Sequence, residues 1–299
     1  MRLRDLIFDP PPSLVFEFSE EAVVGVRRRP GSHEIEMRAE RPLGPGALEA
    51  SVARPNFVDP EQVREALDGV AADLGPVRPP HAALLLPDGA ARLTVLDFDS
   101  LPKDERERLA LLKFRLAKTA PFDVEAARVG WQPQRIGGRY AAIAALTPVE
   151  VVRQYESAVE RHGLWPGYVA PSAMAALRLA PAAGMTLVAK LSGRTLTLAA
   201  VDGGVVRMVR TVETMSSRSQ DHDRMLADLV ADLYPTLIFV ADNLNAPVSR
   251  LAVAGFESLL EPALERLPQE LGVPVEALER PGGVAQARDS GIWGYLCRN

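Results

Sequence analysis

The chain has 299 residues, 47% of them hydrophobic, and a net charge of -5. That length suits two domains, each with its own core, and the mild negative balance argues against a nucleic-acid partner held by counterion release. A single cysteine, Cys297, excludes an intramolecular disulfide or a cysteine-rich zinc site and predicts a reducing, cytoplasmic compartment.

In chain order, strands are predicted over 14–18 and 22–27 around a Ser19-Glu20-Glu21 turn. A third over 33–39 follows Pro30-Gly31-Ser32 and alternates Ile35 and Met37 with Glu34, Glu36 and Arg38. A short strand is expected near 48–52. Asp59 suits an N-cap, Pro60 suits the first helical turn, and Val63, Leu67, Val70 and Leu74 recur at helical spacing until Gly75-Pro76. This helix is expected to cover one face of the first meander.

Residues 79–147 have a different rhythm. Strands are predicted over 82–86 and 92–98, then a helix opened by Asp104 with an apolar stripe at Leu109, Leu112 and Leu116. Ala120-Pro121 stops it, because the residue before proline is pushed out of the α region. Strands over 127–132 and 140–146 complete a ββαββ unit, one helix on an antiparallel sheet. A helix over 149–162, a strand over 165–169 and a helix capped by Ser172 lead to a linker at 181–184.

The stretch 185–211 predicts a second meander, its strands joined by Ser192-Gly193-Arg194 and Asp202-Gly203-Gly204, where glycine supplies positive φ. A helix over 220–243 carries Met225, Leu229, Leu233, Leu237 and Val240, with a kink or split expected at Pro235. A strand over 251–254, a helix over 256–271, a strand over 273–278 and a last helix over 282–296 follow. The two halves share a plan, so the chain is predicted to be α/β and internally duplicated.

Signals for other chemistry are weak. His33, His81, His162 and His222 are scattered without metal-ligand spacing. The Gly137-Gly138, Gly203-Gly204 and Gly282-Gly283 pairs read as turns, since none matches a phosphate-loop or dinucleotide pattern. Ser172, His162 and Asp123 form a hydrolytic triad only on paper, with no nucleophile elbow. Asp97 and Asp99 read as a solvated strand edge, and Arg27-Arg28-Arg29 as a charged edge facing solvent. No window reaches the ~18 apolar residues of a membrane span. Residues 1–12 predict a frayed terminus, with no secretory leader and at most a small basic foot on lipid.

Particular runs add a resemblance. Leu84-Leu85-Leu86-Pro87-Asp88, the 95–102 run VLDFDSLP, Lys113-Phe114-Arg115-Leu116, Pro121-Phe122-Asp123, Val129-Gly130-Trp131-Gln132 and the tail 281–287 carry it. Together with the repeated meander, the chain resembles the actin-like fold of two ribonuclease-H-like domains, and within it the PilM family of type IV pilus assembly. The 79–147 unit is similar to the 1C-type subdomain that this family shares with its cell-division relative FtsA. The resemblance implies domains at 1–78, 79–147, 148–183 (a return to the first) and 184–299.

It also implies a nucleotide site, and the implied positions are eroded. A first Asp-x-Gly loop with a following lysine reads Glu17-Phe18-Ser19 with Val24. A second Asp-x-Gly loop reads Lys190-Leu191-Ser192. A Gly-Gly pair under the adenosine reads Ala254-Gly255-Phe256, where Phe256 is expected to fill the adenosine cleft. A missing phosphate cation, and a lysine where the metal-side acid belongs, imply no catalytic residue, no bound cofactor and a pseudo-ATPase. An active ATPase with a divergent site is the alternative. The family implies a partner, the cytoplasmic peptide of a PilN-like inner-membrane protein, and other pilus assembly proteins around it. The peptide's groove would draw on the first meander and the insert, around Lys113, Arg115, Lys118 and Phe122. Those lysines read equally well as a solvated helix face. A GspL-like scaffold of type II secretion stays open as well. Membrane contact would be indirect, through the partner.

Overall fold

A computed structural model describes residues 12–29, 32, 34–214, 221–286 and 288–297. The expectations for 1–11, Pro30-Gly31, His33, Gln220 and Ala287 lie outside the described residues.

The first meander forms β1 (Leu14–Phe18), β2 (Ala22–Arg28) and β3 (Ile35–Pro42), and α1 (Pro60–Leu74) crosses to β4 (His81–Leu86). The Asp59 side chain caps α1 by accepting from the Gln62 amide, a contact worth about 1 kcal/mol. A small unit follows: β5 (Arg92–Phe98), α2 (Glu105–Leu116), β6 (Ala127–Ile136) and β7 (Arg139–Pro148). Then come α3 (Val149–Glu160), β8 (Trp165–Pro171) and α4 (Ser172–Ala176). The second half repeats the plan as β9 (Met185–Ser192), β10 (Thr195–Asp202), β11 (Val205–Glu213), α5 (His222–Leu244), β12 (Arg250–Ala254), α6 (Leu260–Leu271) and β13 (Val275–Ala277). It ends in a short hairpin, β14 (Glu279–Arg280) with β15 (Gly283–Val284), and α7 (Ser290–Leu296).

The two main sheets have matching order, β3-β2-β1-β4-β8 and β11-β10-β9-β12-β13. Each is an antiparallel meander extended by two parallel strands. The insert is a separate sheet, β5-β7-β6. It enters between β4 and α3, where the second half has only the short turn between β12 and α6.

Period-two alternation decides the layers. On β1, Phe16 and Phe18 face the α1 and α3 side with Leu67, Val70 and Tyr155. Val15 faces the other side, with Ile292 and Tyr295 of α7. Leu187, Ala189 and Leu191 of β9 pack on α5 and α6, while Val188 turns inward to meet Leu93, Ile143 and Ala145 of the insert and Ala173 of α4. The other face of the insert sheet, through Ala142, Ala144 and Leu146, covers Leu112 and Leu116 of α2. Gln134 of β6 hydrogen-bonds both the carbonyl (3.1 Å) and the amide (2.7 Å) of Val206 on β11. The insert thus leans on the second half.

Several expectations are corrected. The strand at 82–86 belongs to the first sheet, paired in parallel with β1 from Leu14↔Ala82 to Glu17↔Leu85, because its residues are buried on both faces as a central strand requires. The insert is therefore βαββ and starts at β5. The strand near 48–52 is a single bridge, Leu48↔Phe57, closing a loop held by the Asn56 side-chain amide on the Ser51 and Arg54 carbonyls. Helix α5 runs unbroken through Pro235, carried by its buried stripe of Leu226, Leu229, Leu233, Leu237 and Val240. Pro281-Gly282 turns the final hairpin, with Gly283 paired to Arg280, so the last helix is short. Leu109 is exposed on α2, and Arg28 is buried rather than facing solvent.

Candidate functional site

The two meander turns and the strands beside them meet in the cleft between the halves. Glu17 on β1 and Lys190 on β9 occupy equivalent places in the two sheets, since Glu17 pairs with Leu85 of β4 and Lys190 with Ala254 of β12. Both are buried and both point to the inner faces.

Each is satisfied by the protein itself. Glu17 accepts from the Ser172 hydroxyl, from the Gly291 amide at 3.3 Å and from the Ile292 amide at 2.8 Å, so it ties β1 to α4 and to the start of α7. Burial raises its pKa to about 7, against the opposing pull of the Lys190 charge and these hydrogen bonds. Ser172 was expected to cap α4, but its hydroxyl is spent on Glu17 and makes no cap bond. Lys190 donates to Asp88 Oδ2 at 2.7 Å, and Asp88 Oδ1 accepts from the Ala173 amide at 2.7 Å. This wholly buried ion pair joins the second sheet to the segment leaving β4.

The remaining implied nucleotide positions are structural too. Ser19 closes its own turn through the Ala22 amide and carbonyl, and Ser192 and Val24 are buried. Gly255 follows β12 with φ +76. Phe256 is in the core beneath α6 with Leu259 and Leu267, and so does not plug the cleft as expected. A cavity of about 310 Å³ remains beside it, lined also by Glu257 and Arg288. Arg288 reaches Glu40 of the first sheet at 2.7 Å and Glu257 at 3.4 Å, another link between the halves. Among the described residues, no group of His, Cys, Asp and Glu is arranged to hold a metal ion. The paper triad does not assemble: His162 pairs with Asp68 at 3.0 Å, and Asp123 caps the short turn at Val124–Ala126. Asp99 is an exposed partner of Arg139.

The partner-binding candidates separate. Lys113 and Phe122 line one groove of about 710 Å³ on the insert, together with Arg106, Leu109 and Phe114. Phe114, 64% exposed, is the most exposed large apolar side chain lining this groove. Lys113 is held at 2.6 Å by Glu125, and Lys118 lies over the Phe114 ring, 5.0 Å from its centroid. Arg115 points the other way, over Phe98. The groove draws on α2 and the turn after it, and not on the first meander, which packs elsewhere.

Asp88 and Arg288 escaped the reading of the sequence as site residues. A signal existed for Asp88: Lys190 sits in a strand whose every residue is buried, and a buried ammonium needs an acid.

No protein-family model matches the chain, and no curated protein matches it. Solved structures do. A Bacteroides thetaiotaomicron protein with actin-like ATPase fold and unknown function aligns over 96% of this chain and 95% of its own, with a TM-score of 0.58 and 12% identity. The duplicated sheets, the cleft between them and this likeness define the chain as having an actin-like α/β fold. A structure of a PilM-PilN type IV pilus biogenesis complex aligns over 96% of this chain and 98% of the matched chain, with a TM-score of 0.76 and 19% identity. The cytoplasmic domain of EpsL, an inner-membrane component of the Vibrio cholerae type II secretion system, aligns over 80% of each chain with a TM-score of 0.48 and 14% identity. No helix among the described residues is long and apolar enough to cross a membrane.

Proposed function

We propose that this chain is a PilM-like scaffold of type IV pilus assembly that binds the N-terminal peptide of a PilN-like inner-membrane protein and works without ATP hydrolysis. The observation that carries the reading is the extent of the likeness, 96% of this chain and 98% of the pilus-complex chain, too much to leave out the insert. In this reading the chain stays on the cytoplasmic side, reaches the inner membrane through its partner, and meets other pilus proteins there.

The cleft supports the absence of hydrolysis. A Mg²⁺-nucleotide does not fit its side chains as they stand. Val24, at the phosphate-lysine position, is buried in the sheet. The Lys190 ammonium is committed to Asp88, and the Glu17 carboxylate to α4 and α7. Each would have to lose a buried partner before serving a phosphate or a metal, and an unpaired buried charge is costly. The insert groove supports the peptide role: an exposed phenylalanine flanked by long cationic side chains is a fit for a short amphipathic segment.

Calorimetric titration tests both halves. ATP is expected to give no saturable heat at millimolar concentration, with or without Mg²⁺. Saturation at micromolar ATP only with Mg²⁺ would overturn the pseudo-ATPase assignment. An N-terminal peptide of a PilN-type protein is expected to bind, and Lys113→Glu with Phe122→Ala to weaken it about tenfold or more. Arg224→Ala in the second half should leave binding unchanged. A peptide that gives no heat, or that ignores the groove variant, would overturn the partner assignment.

A further inference from the structure

Helix α5 is apolar on two opposite faces. One stripe, Leu226, Leu229, Leu233, Leu237 and Val240, is buried against the outer face of the second sheet. The other faces solvent: Ala227, Ala231, Tyr234, Pro235, Ile238 and Phe239 are all exposed, Tyr234 by 52% and Ile238 and Phe239 by 46% each. A helix that covers one side of a sheet ordinarily turns polar residues outward, and a helix apolar on both sides is ordinarily covered on both. By helical period, the middle of the solvent face starts at Arg224, passes through Ala231 and Ile238 and ends at Asp242. Both end residues are exposed, and neither forms an ion pair with another described residue. The helix has 23 residues and is about 34 Å long, so this face has a cation near one end, an anion near the other and an apolar stretch between them.

We propose that the solvent face of α5 is a self-association surface, on which the helix meets α5 of a second copy of this chain, antiparallel across a two-fold axis. Antiparallel pairing about residue 233, midway between Arg224 and Asp242, sets Arg224 of each copy against Asp242 of the other. The same register sets Phe239 against the small Ala227, and Ala231 against Pro235. Each contact then occurs twice, as a two-fold axis requires, and the helix dipoles oppose each other favourably. Parallel pairing would instead bring Arg224 against Arg224 and Asp242 against Asp242. A single helix pair is small for an interface, so the dimer is expected to be weak, with micromolar affinity. Helix α5 lies on the Leu187 and Leu191 side of the second sheet, whereas the insert meets the Val188 side. Self-association therefore leaves the peptide groove open.

Sedimentation velocity of the full chain from about 1 to 200 µM tests it. Wild type is expected to pass from monomer to dimer over this range. Ile238→Glu should stay monomeric while keeping the circular dichroism and melting temperature of wild-type monomer, because the side chain is exposed. Arg224→Asp and Asp242→Arg should each weaken the dimer about tenfold, since the like-charge contact is made twice. The two together should restore the affinity to within about threefold of wild type. A wild type that remains monomeric would overturn the proposal and leave the stripe to a helix of another protein. A dimer that survives Ile238→Glu would place the contact elsewhere, and charge variants whose losses add instead of cancelling would overturn the antiparallel pairing. Peptide titration of Ile238→Glu should match wild type, so the self-association and the partner assignment can fail separately.

Discussion

Glu17 is the one polar residue in a five-residue strand that is buried throughout, and its surroundings set a pH dependence. Its pKa rises from 4.5 to about 7 on folding, chiefly because burial disfavours the carboxylate. The folded state therefore prefers the protonated acid. That contribution is fully present below the unfolded pKa and is lost as pH rises through about 7, an effect of about 3 kcal/mol. Melting curves from pH 5 to 8 are expected to show wild type losing stability relative to Glu17→Gln, whose neutral amide stands in for the acid. A wild type that gained on the variant with rising pH would contradict this. The Lys190–Asp88 pair behaves differently, because neither charge has water to fall back on. Lys190→Met should cost about 3–5 kcal/mol in urea denaturation, most of it from stranding Asp88. Adding Asp88→Asn, which keeps an acceptor for the Ala173 amide, should recover more than half of that loss.

At the scale of elements, α7 is a seven-residue helix from the end of the chain that packs on the first sheet. Its approach to α4 depends on Gly294, where a Cβ would come within 2.0 Å of the Ala175 carbonyl oxygen. Gly294→Ala should therefore destabilise by about 1–3 kcal/mol in urea denaturation, as overpacking does. Gly130→Ala in β6, which meets nothing within 4 Å, should not. The insert makes a related point about what a sequence discloses. Its helix start, its stripe at Leu112 and Leu116 and its hairpin were legible, because caps, turn residues and periodicity are local. The membership of β4 was not. Six residues ending in Leu84-Leu85-Leu86 look alike in an insert or at the centre of a sheet, and only their pairing with β1 distinguishes the two.

Over the whole molecule, the halves and the insert share buried contacts. Val188 of the second sheet, Ile143 of the insert and Ala173 of α4 lie in one apolar cluster, and Arg288 and Lys190 add polar links across the cleft. Unfolding is accordingly expected to be a single cooperative transition. Tryptophan fluorescence, which reports Trp131 in the insert, Trp165 in the first half and Trp293 in α7, should coincide with the far-UV circular dichroism of the whole chain. Separate midpoints would show that the insert or a half melts alone.

The sequence by itself determined most strands and helices and the duplication, which follow from side-chain period, turn glycines and caps acting within a few residues of one another. The actin-like class came instead from the resemblance carried by particular runs of the insert and the tail. The eroded positions at Glu17, Val24 and Lys190 were visible as well, but their new roles were not. Only the tertiary structure decided that Lys190 meets Asp88, 102 residues away, and that Glu17 holds the start of α7, 275 residues on. Those contacts depend on how two sheets and a returning helix come together in space, and charged side chains separated by that much chain carry no local mark of the partner they will find.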